Sequence, residues 1–284
     1  MTAQPRIPPE PSSGLPRPAA GTPIRPPVQG ASAIPLLDAV VIDHGPRDLL
    51  GRFFLQADRT VREQGLRLAF SDDFDLLASI NRANLDSWYK LIPAFSTRGG
   101  ARPGNAYFFI AYDADEVVAT QVGRVYDMDV SFAEHCRTLK IMYEDPSMAL
   151  EGDSCVLSGD AVAAAEEVKG KVVFSGGTWC KPGKARGKGF ASLLARLSRC
   201  YAFARFGTDW TTSTVRKTHV NGGLLRAYGY SRLHYAFKWT SPAAPGAPSS
   251  AEDPWGFVSM PRAELLADTD RYLQALNRPS QAAE

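Results

Sequence analysis

The chain has 284 residues, of which 44% are hydrophobic and 22% charged, a composition suited to a folded protein with a substantial core. Its 32 basic and 30 acidic residues leave a formal charge of +2. That balance excludes a general polycation for nucleic acid or membrane surfaces and confines any electrostatic function to a local patch. No apolar run is long enough to span a bilayer, and the N-terminus lacks the apolar centre of a secretory signal. The four cysteines (Cys136, Cys155, Cys180 and Cys200) form no CxxC pair and have no histidines at metal spacing. Reduced thiols, a cytoplasmic location and no bound metal are the expectations.

Ten of the 21 prolines fall between Pro5 and Pro35, among Gly, Ser and Ala. Such a segment buries too little apolar surface to offset its ordering entropy, so residues 1–35 read as a disordered Pro-rich tail whose removal leaves stability unchanged. Residues 36–65 form an N-terminal extension: Leu36, Leu37, Val40, Val41 and Ile42 suit a strand or short helix. Leu49, Leu50, Phe53, Phe54 and Leu55 suit a helix. The main domain spans residues 66–240. Leu66 to Phe70 alternates as a strand does, and Ser71-Asp72-Asp73 supplies the cap for a helix from Phe74 to Leu91. Tyr107 to Tyr112 and Val117 to Val125, turned at Asp113-Ala114-Asp115-Glu116, form a β-hairpin.

Residues 127–170 read as an insertion near the substrate side, with helical composition at Cys136 to Tyr143 and Asp160 to Val168. Lys171 to Cys180 is a strand. It leads through a Gly/Lys/Arg-rich turn into a helix with Phe190, Leu193, Leu194, Leu197 and Tyr201 on one face. A strand at Trp210 to Val215, a short helix at Val220 to Tyr228 and a strand at Arg232 to Thr240 complete the domain. Residues 241–254 are a linker, and 255–284 hold a C-terminal strand and helix, the latter begun at Pro261.

Arg186-Gly187-Lys188-Gly189-Phe190-Ala191, between strand and amphipathic helix, has the makings of an anion site. Glycines admit close backbone approach, successive N–H groups converge, and a helix N-terminus adds positive potential. Lys181, Lys184, Arg186 and Lys188 add charge. No Gly-Lys-Ser/Thr follows at Walker A spacing, and GxGxxG is absent. A turn needing glycine for steric reasons alone is the bland alternative.

Arg186-x-x-Gly189-x-Ala191, after a strand and at a helix start, resembles the coenzyme A pyrophosphate loop of the GNAT superfamily of N-acetyltransferases. The order of elements from Leu66 to Thr240 resembles that family's too, and Asn221, Tyr228 and Gly229-Tyr230 approximate its later motif. The approach Lys181–Ala185 is one residue longer than usual, and the helix ending at Tyr228 is about one turn short. The resemblance implies an α/β (α+β) fold with a central, mostly antiparallel mixed sheet flanked by helices. It implies acetyl-coenzyme A or coenzyme A as cosubstrate. The implied binding residues are Thr178, Trp179, Cys180, Lys181, Arg186, Gly187, Lys188, Gly189, Phe190, Ala191 and Asn221. An amine on a small molecule or a protein is the implied acceptor, with no nucleic acid and no membrane, and a homodimer is compatible.

By the same resemblance, Tyr228 is the candidate donor of a proton to the departing thiolate, with a core aromatic as its alternative. No carboxylate lies between Lys171 and Cys180, so the base comes from elsewhere. His219 is the candidate, ahead of Glu116, Glu134, His135 and Glu144. Two other readings stay open. One is a coenzyme A-binding sensor or scaffold without turnover. The other is an acyltransferase of another class, such as an acyl-homoserine lactone synthase, against which the clear Arg-x-x-Gly-x-Ala loop argues.

Overall fold

A computed structural model describes residues 33–185, 189–221, 223–242 and 255–276. The N-terminal elements are β1 (Ile34–Pro35), α1 (Leu36–Ala39), α2 (Arg47–Glu63), β2 (Arg67–Ser71) and α3 (Phe74–Arg82). The hairpin β3 (Ala106–Asp113) and β4 (Glu116–Met128) follows, then α4 (Phe132–Arg137), β5 (Ser154–Leu157) and α5 (Asp160–Glu166). Next come β6 (Gly170–Cys180), α6 (Phe190–Phe206), β7 (Trp210–Arg216), α7 (Lys217–Asn221) and α8 (Leu224–Tyr228). The last are β8 (Arg232–Thr240), β9 (Trp255–Pro261) and α9 (Arg262–Leu276).

Among the described residues, nine strands form one sheet in the order β1-β2-β3-β4-β6-β7-β9-β8-β5. Only β6 and β7 pair in parallel among these neighbours; the others are antiparallel. The expected mixed, mostly antiparallel α/β sheet is therefore present. Both its faces are covered, which is why the run from Tyr107 to Tyr112 is apolar throughout. Phe108, Ile110 and Tyr112 join one core with α3, α4 and α5 residues. Tyr107, Phe109 and Ala111 join the other, with α2 and α6.

Several boundaries depart from expectation for local reasons. Ile34 and Pro35, expected in the tail, pair with Phe70 and Ala69 and extend the sheet. The helix starting at Phe74 is capped by Asp73, whose side chain accepts from the amides of Asp75 and Leu76, and it stops at Arg82 rather than Leu91. Asn81 ends it by serving the returning loop: its Nδ2 donates to Tyr89 O at 2.9 Å and its Oδ1 accepts from Leu91 N at 3.3 Å. The helix expected over Cys136 to Tyr143 is instead Phe132–Arg137, ended where Leu139 takes a φ of 61°.

No strand is expected in the insertion, yet β5 pairs with β8 at the sheet edge. Its first helix is tied to the beginning of β6, where Phe132 N donates to Val168 O at 2.9 Å. That part of the insertion thus sits at the end of β6 opposite the loop. The boundary at residue 240 also falls between bonded strands, because β9 lies between β7 and β8.

Candidate functional site

The site begins where the parallel pair separates. β6 and β7 are in register from Val172↔Trp210 to Ser175↔Ser213 and no further. Both strands continue, but on other partners. β6 follows β4 as far as Cys180↔Ala119, and β7 follows β9 as far as Arg216↔Trp255. A gap therefore opens between Gly176–Cys180 and Thr214–Arg216, at the end of the sheet from which the glycine loop departs.

A bulge in β6 causes the divergence. Between the pairs Val122↔Gly176 and Thr120↔Trp179, β6 holds two residues against the single Gln121 of β4. Gly177 takes a φ of 57°, which suits glycine and little else. The bulged backbone is satisfied by β4 side chains: Gln121 Nε2 donates to Gly176 O at 3.2 Å, and Thr120 Oγ1 donates to Gly177 O at 3.2 Å. Gln121 also donates to Ser175 Oγ at 2.9 Å and accepts from the Thr178 hydroxyl. Gln121, 1% exposed, is a site residue that sequence reasoning missed. Its only signal was an amide amid Ala-Thr-x-Val-Gly in a buried strand. Gln121→Met is expected to lower stability by about 1–3 kcal/mol by orphaning these groups. A urea midpoint equal to that of the parent protein would refute that.

The two faces of the gap differ. On the α3 side, the buried Trp179 ring stacks on Trp88 at 5.4 Å and 14°, and its Nε1 donates to Ser87 Oγ at 3.2 Å. The Trp179 side chain is thus committed to the core, and only its backbone faces the gap's edge. Trp88 is core as well, whereas Tyr89 is exposed. The Arg216 guanidinium lies 4.5 Å over the Tyr89 ring and 5.4 Å over Trp255, which adds a cationic and aromatic wall.

On the α6 side stands Tyr228, 8% exposed at the end of α8. Its hydroxyl lies within hydrogen-bonding reach of Thr178 and next to Cys180. Burial pushes its pKa well above the ordinary phenol range, with the Cys180 neighbour adding to the rise and the Thr178 bond opposing it. The phenol therefore stays protonated at every ordinary pH. The structure brings Tyr228, Thr178 and Cys180 together.

The loop is described at its two ends. Lys181 to Ala185 form a tight turn, with Ala185 N donating to Lys181 O at 3.1 Å. Two of its expected phosphate-seeking cations are engaged by the β3–β4 turn. Lys181 pairs with Glu116, and Lys184 pairs with Asp113 at 2.8 Å. The Lys181 bond in turn holds the Glu116 carboxyl below its usual range. Those lysines add less free positive potential than composition suggested. Arg186, Gly187 and Lys188 lie outside the described residues. Gly189 opens α6 with a φ of 78° and no capping side chain, so the first-turn amides at Phe190 and Ala191 face the loop. The Phe190 side chain itself is buried.

Two candidates fall differently from expectation. Asn221 does not open the helix that carries Tyr228. Gly223, with a φ of 80°, breaks the expected single helix into α7 and α8, and Asn221 is the exposed last residue of α7. His219 is exposed on the same turn. The other carboxylates weighed as bases are bound elsewhere, Glu134 by Arg137 and Glu144 by Arg102. His135 is buried, and burial lowers its pKa. Among the described residues no cluster suits a metal ion, and no helix is long and apolar enough to cross a membrane.

No protein-family model and no curated protein matches the chain. Solved structures do resemble it. Arabidopsis thaliana NAA60 in complex with acetyl-CoA is 14% identical, covering 69% of this chain and 99% of its own, with a TM-score of 0.39. The spermidine/spermine N-acetyltransferase SpeG from Vibrio cholerae is 9% identical over 72% of this chain and 98% of its own, with a TM-score of 0.42. The ribosomal-protein-S5-alanine acetyltransferase from Vibrio fischeri is 12% identical over 69% and 93%, with a TM-score of 0.38. These likenesses concern the fold alone.

Proposed function

We propose that the protein is a GNAT-type enzyme that transfers an acetyl or other acyl group from coenzyme A to an amine. The observation that carries this reading is the buried, protonated Tyr228 hydroxyl at Thr178 and Cys180, beside the gap between β6 and β7. The gap leaves strand-edge groups of Gly176–Cys180 for the pantetheine arm, as a strand leaves them for a partner. The loop from Arg186 to Ala191 and the uncapped start of α6 receive the pyrophosphate.

In the reaction, the amine nitrogen attacks the thioester carbonyl, the C–N bond forms and the C–S bond breaks. Tyr228 delivers a proton to the departing thiolate sulfur, and the amine's proton leaves through water toward a base, for which His219 is the candidate. Backbone amides of the bulged strand stabilise the oxyanion that forms between the two steps. The Tyr89, Arg216 and Trp255 wall bounds the acceptor side.

Coenzyme A and acetyl-coenzyme A should each raise the melting temperature, by about 2.7 kcal/mol of added stability at a hundredfold excess over Kd. Gly189→Asp should remove that shift, because it places a side chain at a positive φ and a like charge beside the phosphates. Calorimetry that detects neither ligand on folded protein would refute the reading. Binding without thiol release across an amine panel would favour a sensor or scaffold instead.

A further inference from the structure

The C-terminal helix takes no part in the site as described, yet it carries a buried carboxylate aimed at the element that does. Asp268 on α9 accepts from Arg196 Nε at 2.9 Å and Nη2 at 3.2 Å, and from Arg199 Nη2 at 3.2 Å. Asp268, Arg196 and Arg199 are 6%, 5% and 1% exposed, respectively. Two buried guanidinium groups against one carboxylate, with the exposed Arg271 Nη2 a further partner at 4.0 Å, leave a surplus positive charge. That surplus is spent on the last carbonyls of α8, which have no partner within their own helix. Arg199 Nη2 donates to Tyr228 O at 2.6 Å, and Arg196 Nη1 donates to Ala227 O.

The next residue is pressed against the same network. Gly229 has a φ of 74°, and a Cβ there would stand 2.4 Å from both Arg196 Nη2 and Asp268 Oδ1. Arg199 also lies 4.7 Å over the Tyr230 ring. The backbone on both sides of the Tyr228 side chain is thus gripped from α6 and α9, while its hydroxyl meets Thr178.

We propose that Asp268 is a positioning residue for the Tyr228 hydroxyl, acting through Arg196 and Arg199 on the carbonyls of Ala227 and Tyr228. This rests on the reading of Tyr228 as the proton donor. Proton delivery needs heavy atoms within about 3 Å of each other, and a misplacement of about 1 Å costs on the order of a hundredfold.

The test is a double-mutant cycle on the full chain, with Asp268→Asn and Tyr228→Phe singly and together. Thiol release from acetyl-coenzyme A is followed with spermidine, kanamycin and an N-terminal alanine peptide as acceptors. Because removing Asp268 leaves two buried cations facing each other, Arg199→Met is run in parallel, with Asp268 still held by Arg196. Either network variant should lower kcat about tenfold in the parent and less than twofold in the Tyr228→Phe background, with KM for acetyl-coenzyme A within about twofold. Equal losses in both backgrounds would overturn the proposal while leaving the function intact. A silent Tyr228→Phe would overturn the proposal together with the reading of Tyr228 as the proton donor, and would leave acyl transfer itself standing.

A second arm needs no acceptor. With 3-fluorotyrosine placed at position 228, the fluorine resonance should titrate above the free amino acid in the parent; it should move toward the free value in Asp268→Asn and further above it in Arg199→Met, because the Arg199 charge lowers the parent's value. An unmoved titration would overturn the proposal even if no amine in the panel is turned over.

Discussion

Replacing Tyr228 by Phe is expected to lower turnover about ten- to hundredfold, the usual loss on removing a general acid, while coenzyme A affinity stays unchanged. The substitution keeps the ring, which is packed in the α6-side core, and deletes only the hydroxyl beside Thr178 and Cys180. Its elevated pKa keeps the phenol protonated, so it is available as a donor and not as a base, while making it a weaker acid than a free phenol. The sign follows from burial being the first cause of the shift, since burial disfavours the charged phenolate. Steady-state kinetics on the best acceptor, with calorimetry of coenzyme A, separates the outcomes. Unaltered kcat would move the proton donor to His219 or a bound water. Weaker binding at constant kcat would make Tyr228 a holder of the pantetheine sulfur.

Phe174→Ala should cost about 3–5 kcal/mol, the range for deleting a fully buried aromatic ring. Phe174 is 1% exposed, stacked on Phe95 at 5.4 Å and set against Phe132 at 5.9 Å. Phe132 in turn meets Phe257 at 4.9 Å. One ring therefore joins β6 to the loop before β3, to the insertion and, through Phe132, to the penultimate element. At about 2–4 °C per kcal/mol for a chain of this size, the melting temperature should fall by roughly 6–20 °C. A urea midpoint shifted at constant slope would show that the insertion melts with the domain. A loss below about 1 kcal/mol would mean that residues 127–170 fold apart from it.

Much of this architecture was legible from residue order. The hairpin at Asp113–Glu116, the strand from Lys171 to Cys180 and the amphipathic helix after Gly189 follow from periodicity and turn chemistry, because each is decided by its own neighbours. Tyr228 was legible only as a candidate, since its meaning depends on Thr178, fifty residues earlier, being within reach of its hydroxyl. Long-range polar partners stayed hidden for the same reason. Nothing in the run around Gln121 announces that it caps the carbonyls of a bulge on another strand, and nothing around Asp268 announces two arginines on α6. The early stop of α3 was missed because Asn81 ends the helix by bonding a loop eight and ten residues on, against a helical pattern that continued through Leu85 and Trp88.

The place of β9 bears on how the protein is made. β7 and β8 are consecutive strands in the chain, yet they must stand one strand apart, roughly 10 Å, until the sequence from Trp255 to Pro261 arrives to fill the slot. During synthesis the ribosome releases both flanking strands before their common partner. In that interval each presents a row of unpaired backbone groups, and the nearest available partner for either is the wrong one. β9 brings Phe257, Val258 and Met260, all buried, so its docking closes both cores at once. A nascent chain halted before residue 255 is therefore expected to present two unpaired strand edges, and the sheet closes only once β9 has been made.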